Sequence, residues 1–256
     1  MGRDSFLVVL PARYGSSRFP GKPLVEIAGK PLIEWVYRRA QQIEGAGGLL
    51  VATDDSRIAD AVSSFGGNVV LTSADHETGT DRVAEIARSS VHDIVVNLQG
   101  DEPVFDPALV REMVDRLAAE PGTDIVTACH AISSVEDLHN PNVVKVVADG
   151  KGRALYFSRA PIPRLRDGGD PSPVARRHVG IYAFRKEALI AFTEMERTPL
   201  EISEQLEQLR ALENGMTIGL VDTKSHTIGV DIPDDVKKVE KELNRIYTDL
   251  GGGENR

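Results

Sequence analysis

The chain has 256 residues and carries 30 Lys+Arg against 39 Asp+Glu, so its formal net charge at pH 7 is −9. A hydrophobic content of 41% with 27% charged residues is typical of a soluble, packed protein. The net acidity argues against a general nucleic-acid binder, which needs a basic face. Cys129 is the single cysteine, which excludes a disulfide framework and a CxxC-type metal site. The N-terminal apolar run, residues 6–10, is too short for a signal-peptide core or a membrane span. We therefore expect a cytoplasmic protein without a nucleic-acid or membrane partner.

Short Val-, Ile- and Leu-rich runs alternate with amphipathic stretches through the first half of the chain. Strands apolar on both faces and separated by helices indicate an open, mostly parallel, doubly wound α/β sheet. The predicted strands are residues 6–10, 49–53, 69–71 and 94–98, and the predicted helices lie at about 31–42, 55–65 and 80–89.

The second half of the chain is less regular. We expect a single domain over residues 1–250, with an embedded, irregular, β-rich subdomain at roughly 130–185 and a frayed tail at 251–256. The predicted elements are strands at 143–148, 154–157, 178–184 and 218–221, a helix at 201–214 with Ile202, Leu206 and Leu209 facing inward, and a last helix from Pro233.

Three polar stretches follow predicted strands: residues 13–22, 53–54 and 99–102. Right-handed crossovers place the loops after parallel strands along one edge of the sheet, where open α/β sheets bind ligands. The sequence therefore predicts that these stretches meet at one site.

The first of these loops, residues 11–22 (PARYGSSRFPGK), contains Arg13, Arg18 and Lys22 and no acidic residue. Backbone N–H groups, Arg forks and a Lys charge suit a polyphosphate. The loop is not a Walker motif, since five residues separate its glycines and a proline occupies the Ser/Thr position. The alternative interpretation is a solvated basic loop.

Acidic residues follow at two places. Asp101, in residues 99–103 (QGDEP), ends a buried strand, where a carboxylate suits Mg²⁺, although a simple turn is the alternative. Asp231 precedes the last helix and is either a second metal carboxylate or a helix cap. Thr80 or Thr78 caps the helix at about 80–89, and this loop could also contact a nucleobase or ribose.

The remaining polar residues give weaker signals. The histidines lack HxxxH or HExxH spacing, which makes a zinc site unfavourable, and a lone His178 is more often structural than catalytic. Glu204 and Gln208 lie opposite the apolar stripe of the predicted helix at 201–214, so we expect them to be solvated.

Taken together, the motifs resemble the 3-deoxy-manno-octulosonate cytidylyltransferase (CMP-Kdo synthetase) family. The resemblance runs in order along nearly the whole chain. Its blocks are residues 11–24 (PARYGSSRFPGKPL), 76–82 (HETGTDR), 97–103 (NLQGDEP), 144–147 (VKVV), 154–163 (ALYFSRAPIP), 177–182 (RHVGIY), 206–210 (LEQLR) and 229–231 (GVD).

The resemblance implies a nucleotide-diphospho-sugar transferase fold and the synthesis of CMP-Kdo and pyrophosphate from CTP and Kdo, for lipopolysaccharide biosynthesis. It further implies a homodimer formed largely through residues 130–185. By matching position, Arg13, Ser16, Arg18 and Lys22 would bind the triphosphate, Thr80 and Arg82 would lie near the cytidine, Asp101 and Asp231 would hold Mg²⁺, and Gln99, Arg159, His178, Tyr182, Glu207 and Gln208 would line the sugar-acid pocket.

The reaction implied is attack of the C2 hydroxyl on the α-phosphorus, with Arg13, Arg18, Lys22, Asp101 and Asp231 as the catalytic set and one or two Mg²⁺ ions. Residues 201–206 (EISEQL) depart from the family pattern beside the sugar pocket, which leaves 8-amino-Kdo or another 2-keto-3-deoxy sugar acid as alternative substrates. The competing functions are those of a sialic-acid or alcohol-phosphate cytidylyltransferase, a non-catalytic nucleotide-sugar sensor and an acidic scaffold.

Overall fold

The structure, a computed structural model, describes residues 5–15, 19–170, 174–224, 227–230 and 232–251. The strands in these ranges are β1 (Phe6–Ala12), β2 (Glu26–Ile27), β3 (Lys30–Pro31), β4 (Ala46–Thr53), β5 (Val69–Leu71), β6 (Ile94–Asn97), β7 (Ile125–Ala131), β8 (Lys145–Ala148), β9 (Ala154–Ser158), β10 (Arg176–Arg185) and β11 (Ile218–Asp222). The helices are α1 (Leu32–Ala40), α2 (Ser56–Ser64), α3 (Gly79–Ser89), α4 (Pro107–Ala119), α5 (Val135–His139), α6 (Lys186–Glu194), α7 (Pro199–Glu204), α8 (Gln208–Glu213) and α9 (Asp235–Gly251).

The main sheet has the strand order β11-β7-β10-β6-β1-β4-β5, with β8 and β9 attached through β10. The pairs β1–β4, β1–β6, β4–β5 and β7–β11 are parallel, whereas β10 runs antiparallel to β6, β7 and β8. The predicted mostly parallel α/β sheet is therefore confirmed, and β8 to β10 lie largely within the segment predicted to be β-rich.

Helices cover both faces of this sheet, so the central strand β1 is buried on both sides. Val8 and Leu10 belong to the core that includes apolar residues of α1, α2, α4 and α9. Leu7 and Val9 belong to a second core, formed with α3, α6 and α8. Because successive side chains of a strand point to opposite faces, β1 contributes to the hydrophobic core on each side of the sheet.

Side chains cap the starts of α2 and α3. The Asp55 side chain accepts a hydrogen bond from the backbone N of Arg57. Thr78 caps α3 in a capping box, in which the Asp81 carboxylate accepts from the Thr78 backbone N at 2.9 Å. Of the two predicted caps for this helix, Thr78 is the cap and Thr80 lies within the first turn.

The prediction of a single helix over residues 201–214 is wrong. The chain forms α7 and α8 instead, with Gln205 between them in the left-handed conformation at φ 53°. The break rotates the second segment relative to the first. Ile202, expected inside, is therefore 52% exposed, whereas Gln208, expected in solvent, is buried. Leu206 and Leu209 are buried, as predicted.

Helix α4 and strand β7 were not predicted from the sequence. The signal for α4 is Asp106, whose carboxylate accepts from the Ala108 backbone N, followed by Pro107 at the first helical position. β7 lies between β10 and β11, so it is apolar on both faces, like the central strands that were predicted.

The two outer strands of the main sheet differ in how much of their edge is open. At one end, the turn at residues 149–153 lies along β11, where the Leu220 backbone N donates to Gly152 O at 2.9 Å and Arg153 bridges Gly219. The Arg116 guanidinium also donates to Leu220 O. At the other end β5 is three residues long.

Over its described residues, the protein has no helix that is both long enough and apolar enough to cross a membrane.

A buried ion pair between α7 and α8 predicts a large stability effect. Arg210 donates to both carboxylate oxygens of Glu201, at 2.9 and 2.7 Å, and both side chains are at most 5% exposed. Glu201→Ala leaves a buried guanidinium without its partner, so we expect urea denaturation to show a loss of about 3–5 kcal/mol. The control is Arg88→Ala, which breaks an exposed pair with Glu194 and should cost less than about 1 kcal/mol. Equal losses in the two variants would contradict a special role for the buried pair.

Candidate active site

The loops after β1 and β6 meet at the carboxyl edge of the parallel strands, as predicted. The Lys22 ammonium forms an ion pair with the Asp101 carboxylate, and both side chains are partly buried. Gly100 lies directly against the end of β1, because a Cβ at this position would be 2.8 Å from Pro11 O. A side chain at residue 100 would therefore push the two loops apart.

The base of the first loop is closed by its own backbone. The Gly21 backbone N donates to Tyr14 O at 2.9 Å, and Gly21 adopts φ 72°, a conformation that favours glycine. Arg57 stacks on the Tyr14 ring at 3.4 Å. Arg13 donates to Glu77 O at 2.6 Å, which joins this loop to the one before α3. Ser16 and Arg18 lie outside the described residues.

The chain just before Asp231 packs against Asp101. The Val230 backbone N donates to Asp101 O at 2.9 Å, and the Ile228 backbone N donates to Val104 O at 3.0 Å. Within the described ranges, no group of three His, Cys, Asp or Glu side chains is placed to hold a metal ion, and Asp231 itself lies outside those ranges. The metal site stays a prediction, and the Asp101 carboxylate at the sheet edge is an oxygen donor of the kind that Mg²⁺ prefers.

The start of α3 contacts a residue that the resemblance assigned to the sugar pocket. The Thr80 hydroxyl donates to Glu207 Oε2 at 2.9 Å and accepts from Asn97 Nδ2 at 3.2 Å. Arg82 is fully buried, and its guanidinium lies 3.1 Å from the Asp54 carboxylate and hydrogen-bonds Thr72. Arg82 therefore ties the ends of the loops after β4 and β5 together, and its role toward a nucleotide stays a prediction.

Strand β10 brings the residues of the RHVGIY block to the same edge. Tyr182 lies opposite Asn97 in the β6 register, and the rings of His178 and Tyr182 are 5.5 Å apart. Burial raises the pKa of the Tyr182 phenol far above its ordinary value of 10.0, with smaller contributions from Glu207 and Glu102. Tyr182 is therefore a neutral hydroxyl at any physiological pH.

The hydrogen bonds around Thr127 fix the tautomer of His178. Thr127 Oγ1 lies 2.9 Å from Val179 O and 2.7 Å from Ile181 O, so its single proton goes to a carbonyl. His178 Nε2, 3.0 Å from the same hydroxyl, is then the donor, and Nδ1 is left as an acceptor. Burial lowers the pKa of the His178 imidazole from 6.5 to about 3, so the ring is neutral at neutral pH.

Glu207 and Gln208 line a small internal cavity of about 10 Å³, together with Thr80 and Tyr182. Glu207 Oε1 and Gln208 Nε2 are buried and have no hydrogen-bond partner in the described part of the chain. Burial raises the pKa of the Glu207 carboxyl, against the hydrogen bonds that lower it. Buried polar atoms without partners are costly, so this pair marks a place where a ligand's polar groups would be satisfied.

Arg159, directly after β9, is held by backbone carbonyls. Its Nε, Nη1 and Nη2 donate to the carbonyl oxygens of Glu204, Pro141 and Gln205, at 2.9, 3.0 and 3.4 Å. The buried Lys145 ammonium donates to the carbonyl oxygens of Asn140 and Arg159. Burial lowers the pKa of Lys145.

Glu204 holds the end of β9, a role that sequence reasoning missed. Its carboxylate accepts from Ser158 Oγ at 2.6 Å and from the Arg159 backbone N at 2.9 Å. Burial alone would raise the pKa of this carboxyl, but the hydrogen bonds from Ser158, Arg159 and Tyr156 lower it. Asn97 and Thr127 were missed too, since polar residues at strand positions carry no signal of their partner. Lys145 had a signal, because it is a charge inside the apolar run at 143–148.

Gln99 lies two residues after the end of β6 and is half-buried. Its carbonyl oxygen accepts a hydrogen bond from the Glu102 backbone N at 3.3 Å. The candidate residues thus fall into two groups, which we call the two halves of the candidate site. The first is the ion pair of Lys22 and Asp101, and the second is the set of His178, Tyr182, Glu207 and Gln208, to which the family resemblance adds Arg159.

Comparison with known proteins gives a consistent result over nearly the whole chain. Residues 7–218 match the sequence profile of a family described as Cytidylyltransferase. The chain is 49% identical over 247 residues to the 3-deoxy-manno-octulosonate cytidylyltransferase of Geobacter metallireducens, covering 93% of this chain and 97% of that protein. It is also 49% identical to the protein of the same name from Syntrophobacter fumaroxidans, covering 90% and 94% of the two chains.

The structure is similar to that of CMP:2-keto-3-deoxy-manno-octonic acid synthetase complexed with CTP. The TM-score is 0.88 at 42% identity, and the match covers 94% of this chain and 99% of the other. A cytidylyltransferase from Leptospira borgpetersenii matches with a TM-score of 0.62 at 15% identity, over 98% of both chains, which reflects a shared fold.

The environment of His178 predicts a ring that does not titrate with the other histidines. Nitrogen-resolved NMR of the imidazole should show a neutral ring with its proton on Nε2 from pH 8 down to at least 5. The unfolded chain takes up this proton near pH 6.5 while the folded chain does not, so this residue makes the free energy of unfolding fall as pH drops below that value. A ring that titrates near pH 6.5, or that carries its proton on Nδ1, would show the assignment to be wrong.

Proposed function

The chain belongs to the 3-deoxy-manno-octulosonate cytidylyltransferase family, and from this membership we propose that it transfers CMP from CTP to Kdo, releasing pyrophosphate. The product, CMP-Kdo, would supply lipopolysaccharide biosynthesis. The observation that carries the proposal is the meeting of Lys22 and Asp101 at the carboxyl edge of the sheet, where Gly100 allows the loop after β6 to lie against the end of β1.

In the nucleotide half, Arg13, Ser16, Arg18 and Lys22 bind the triphosphate, with Thr80 and Arg82 in the loop assigned to the cytidine by resemblance. Lys22 supplies a positive charge at a position where Asp101 now neutralises it. A bound polyphosphate offers Lys22 a second anionic partner, and charge on the departing pyrophosphate is stabilised by the same ammonium.

Mg²⁺ is part of this proposal, with Asp101 and Asp231 as its carboxylate ligands. When bound, the ion would supply charge neutralisation at the α-phosphate and lower the pKa of a coordinated hydroxyl. The position of Asp101 supports this role, because its carbonyl accepts from Val230 N while its carboxylate stays at the loop surface with 31% exposure.

In the sugar-acid half, Arg159 is the proposed partner of the substrate carboxylate. Its three hydrogen bonds to carbonyls use one N–H on each guanidinium nitrogen, so each terminal nitrogen keeps one further N–H. Two parallel donors of this kind suit a carboxylate. The carbonyl bonds fix the plane of the guanidinium before the substrate arrives.

The other proposed sugar contacts are Gln99, His178, Tyr182, Glu207 and Gln208. His178 is neutral and offers Nδ1 as an acceptor, which suits a sugar hydroxyl and rules the ring out as a cation for the carboxylate. Gln208 has an unsatisfied buried donor, and Glu207 has an unsatisfied buried acceptor, within the described part of the chain. This mixture of donors and acceptors fits a polyhydroxylated acid.

We also propose that the protein acts in the cytoplasm as a homodimer formed through residues 130–185. Exposed apolar side chains in this segment support the dimer, since Val135, Leu155 and Val174 are 56%, 61% and 44% exposed. An apolar surface of this kind is stabilised by contact with a second copy.

Pyrophosphate release tests the proposed reaction directly. We expect release with CTP and Kdo in the presence of Mg²⁺, and at least tenfold less with UTP. The 8-amino analogue of Kdo is run in parallel as a competing acceptor. No release with Kdo, or faster release with the 8-amino acid, would refute the proposed substrate.

Lys22→Met tests the nucleotide half. The variant removes the positive charge that is proposed to stabilise the triphosphate and the departing pyrophosphate. We therefore expect kcat/KM for CTP to fall by about a hundredfold or more. The control Lys241→Met removes an exposed lysine of α9 and should leave kinetics unchanged. Asp101→Asn should lower turnover to a similar degree at any Mg²⁺ concentration. A Lys22 variant that alters only the apparent affinity for the sugar acid would overturn the assignment.

A further inference from the structure

We propose that Thr80 and Asn97 are positioning residues, which hold the Glu207 carboxylate as an ionised acceptor for a hydroxyl of the sugar acid. The proposal rests on the function proposed above and assigns Thr80 to the sugar half of the site. None of the three residues is close to the others in sequence, so the arrangement is a product of the fold.

A continuous set of hydrogen bonds joins the three side chains. Asn97 Nδ2 donates to Thr80 Oγ1 at 3.2 Å, and Thr80 Oγ1 donates to Glu207 Oε2 at 2.9 Å. Asn97 is fully buried at the end of β6, and Thr80, in the first turn of α3, is 5% exposed. Water does not compete for these bonds, so each side chain depends on its protein partners.

The direction of these bonds follows from the number of protons. A hydroxyl has one proton, and the Asn97 amide already donates to the Thr80 oxygen, so the Thr80 proton points to Glu207. A donor on Oε2 favours the carboxylate over the neutral acid. Oε1 is buried without a partner in the described part of the chain, so it is the oxygen left to accept from a ligand hydroxyl.

The charge state of Glu207 is set by opposing effects. Burial raises the pKa of its carboxyl most strongly, the hydroxyls of Thr80 and Thr78 lower it, Arg210 of α8 also lowers it, and Asp81 of α3 raises it. Tyr182 of β10 faces the same carboxylate and stays neutral. Removal of the Thr80 hydroxyl therefore shifts the balance toward a protonated Glu207.

The ionised state has a consequence for orientation. A buried carboxylate accepts from sugar hydroxyls but repels the carboxylate of the same substrate. The acid group is then directed toward Arg159, and the hydroxylated part of the sugar toward Glu207. A protonated Glu207 would lose the repulsion and one acceptor.

The experiment compares Thr80→Val with Thr80→Ser in pyrophosphate release from CTP and Kdo between pH 5 and 9. Valine keeps the shape but removes the hydroxyl, so we expect KM for the sugar acid to rise about tenfold while KM for CTP changes less than about twofold. The acid limb of kcat/KM for the sugar acid should move to higher pH. Serine restores the donor and should return both quantities to near wild-type values.

Thr123→Val is the matched control. Thr123 is also buried, and its hydroxyl donates to the Glu120 carboxylate at 2.9 Å, but it precedes β7 at the opposite edge of the sheet. We expect this variant to lose stability without a change in KM or in the pH profile. When Glu207 is replaced by Gln, Thr80→Val should no longer shift the acid limb of kcat/KM for the sugar acid, because no carboxyl remains to titrate at position 207.

A second measurement does not depend on turnover. Carboxyl-carbon NMR of the ligand-free protein should show a higher pKa for Glu207 in Thr80→Val than in wild type, and no change in Thr123→Val. An unchanged Glu207 pKa overturns the proposal, as does a Thr80→Val variant whose KM rises for CTP instead of the sugar acid. Absence of turnover in the wild type together with a shifted Glu207 pKa would refute the substrate while leaving the positioning role supported.

Discussion

Strand β10 is the constraint on which the site depends. It runs antiparallel between β6 and β7 in a sheet whose other central strands are parallel, and it continues past them to pair with β8. The register between β10 and β7 shifts between Val179 and Tyr182, and there the Thr127 hydroxyl lies within hydrogen-bond distance of the carbonyl oxygens of Val179 and Ile181 and donates to one of them. This insertion brings His178 and Tyr182 to the ends of the parallel strands. Without it the edge would contain Lys22 and Asp101 but neither His178 nor Tyr182.

The two halves of the candidate site differ in their electrostatics. In the nucleotide half, Lys22 and Asp101 carry opposite charges and neutralise each other near solvent, so both are available when a more highly charged partner binds. In the proposed sugar half, burial keeps His178 and Tyr182 neutral. Burial also raises the pKa of the Glu207 carboxyl, but this carboxylate accepts a hydrogen bond from Thr80, so groups that form directional hydrogen bonds predominate. A polyanion and a polyhydroxylated acid require this difference, because the first is recognised by charge and the second by directional hydrogen bonds.

The sequence predicted the features that depend on local pattern. Apolar runs bounded by turns placed the first four parallel strands, and the rule for crossovers brought Lys22 and Asp101 together correctly. The break at Gln205 was missed, because LEISEQLEQL has helical periodicity throughout. The tertiary hydrogen bonds of Glu204 to Ser158 and Arg159, just before the break, leave no trace in that local pattern. The bond between Thr80 and Glu207 joins residues 127 positions apart, so no spacing rule could have found it. Family resemblance named both Glu207 and Thr80 but assigned Thr80 to the cytidine, and it did not name Asn97 as a site residue.

The outer strand β11 carries one more consequence for behaviour at high concentration. Its outer side is contacted by the turn at residues 149–153 and by the Arg116 guanidinium, so the backbone amide and carbonyl of Leu220, in the middle of the strand, are already satisfied there. At the far end of the sheet, β5 offers a template of three residues, too short to align an incoming strand firmly. The sheet is open in topology, but neither outer strand favours pairing with a strand of another copy. Self-association would therefore occur through side-chain surfaces.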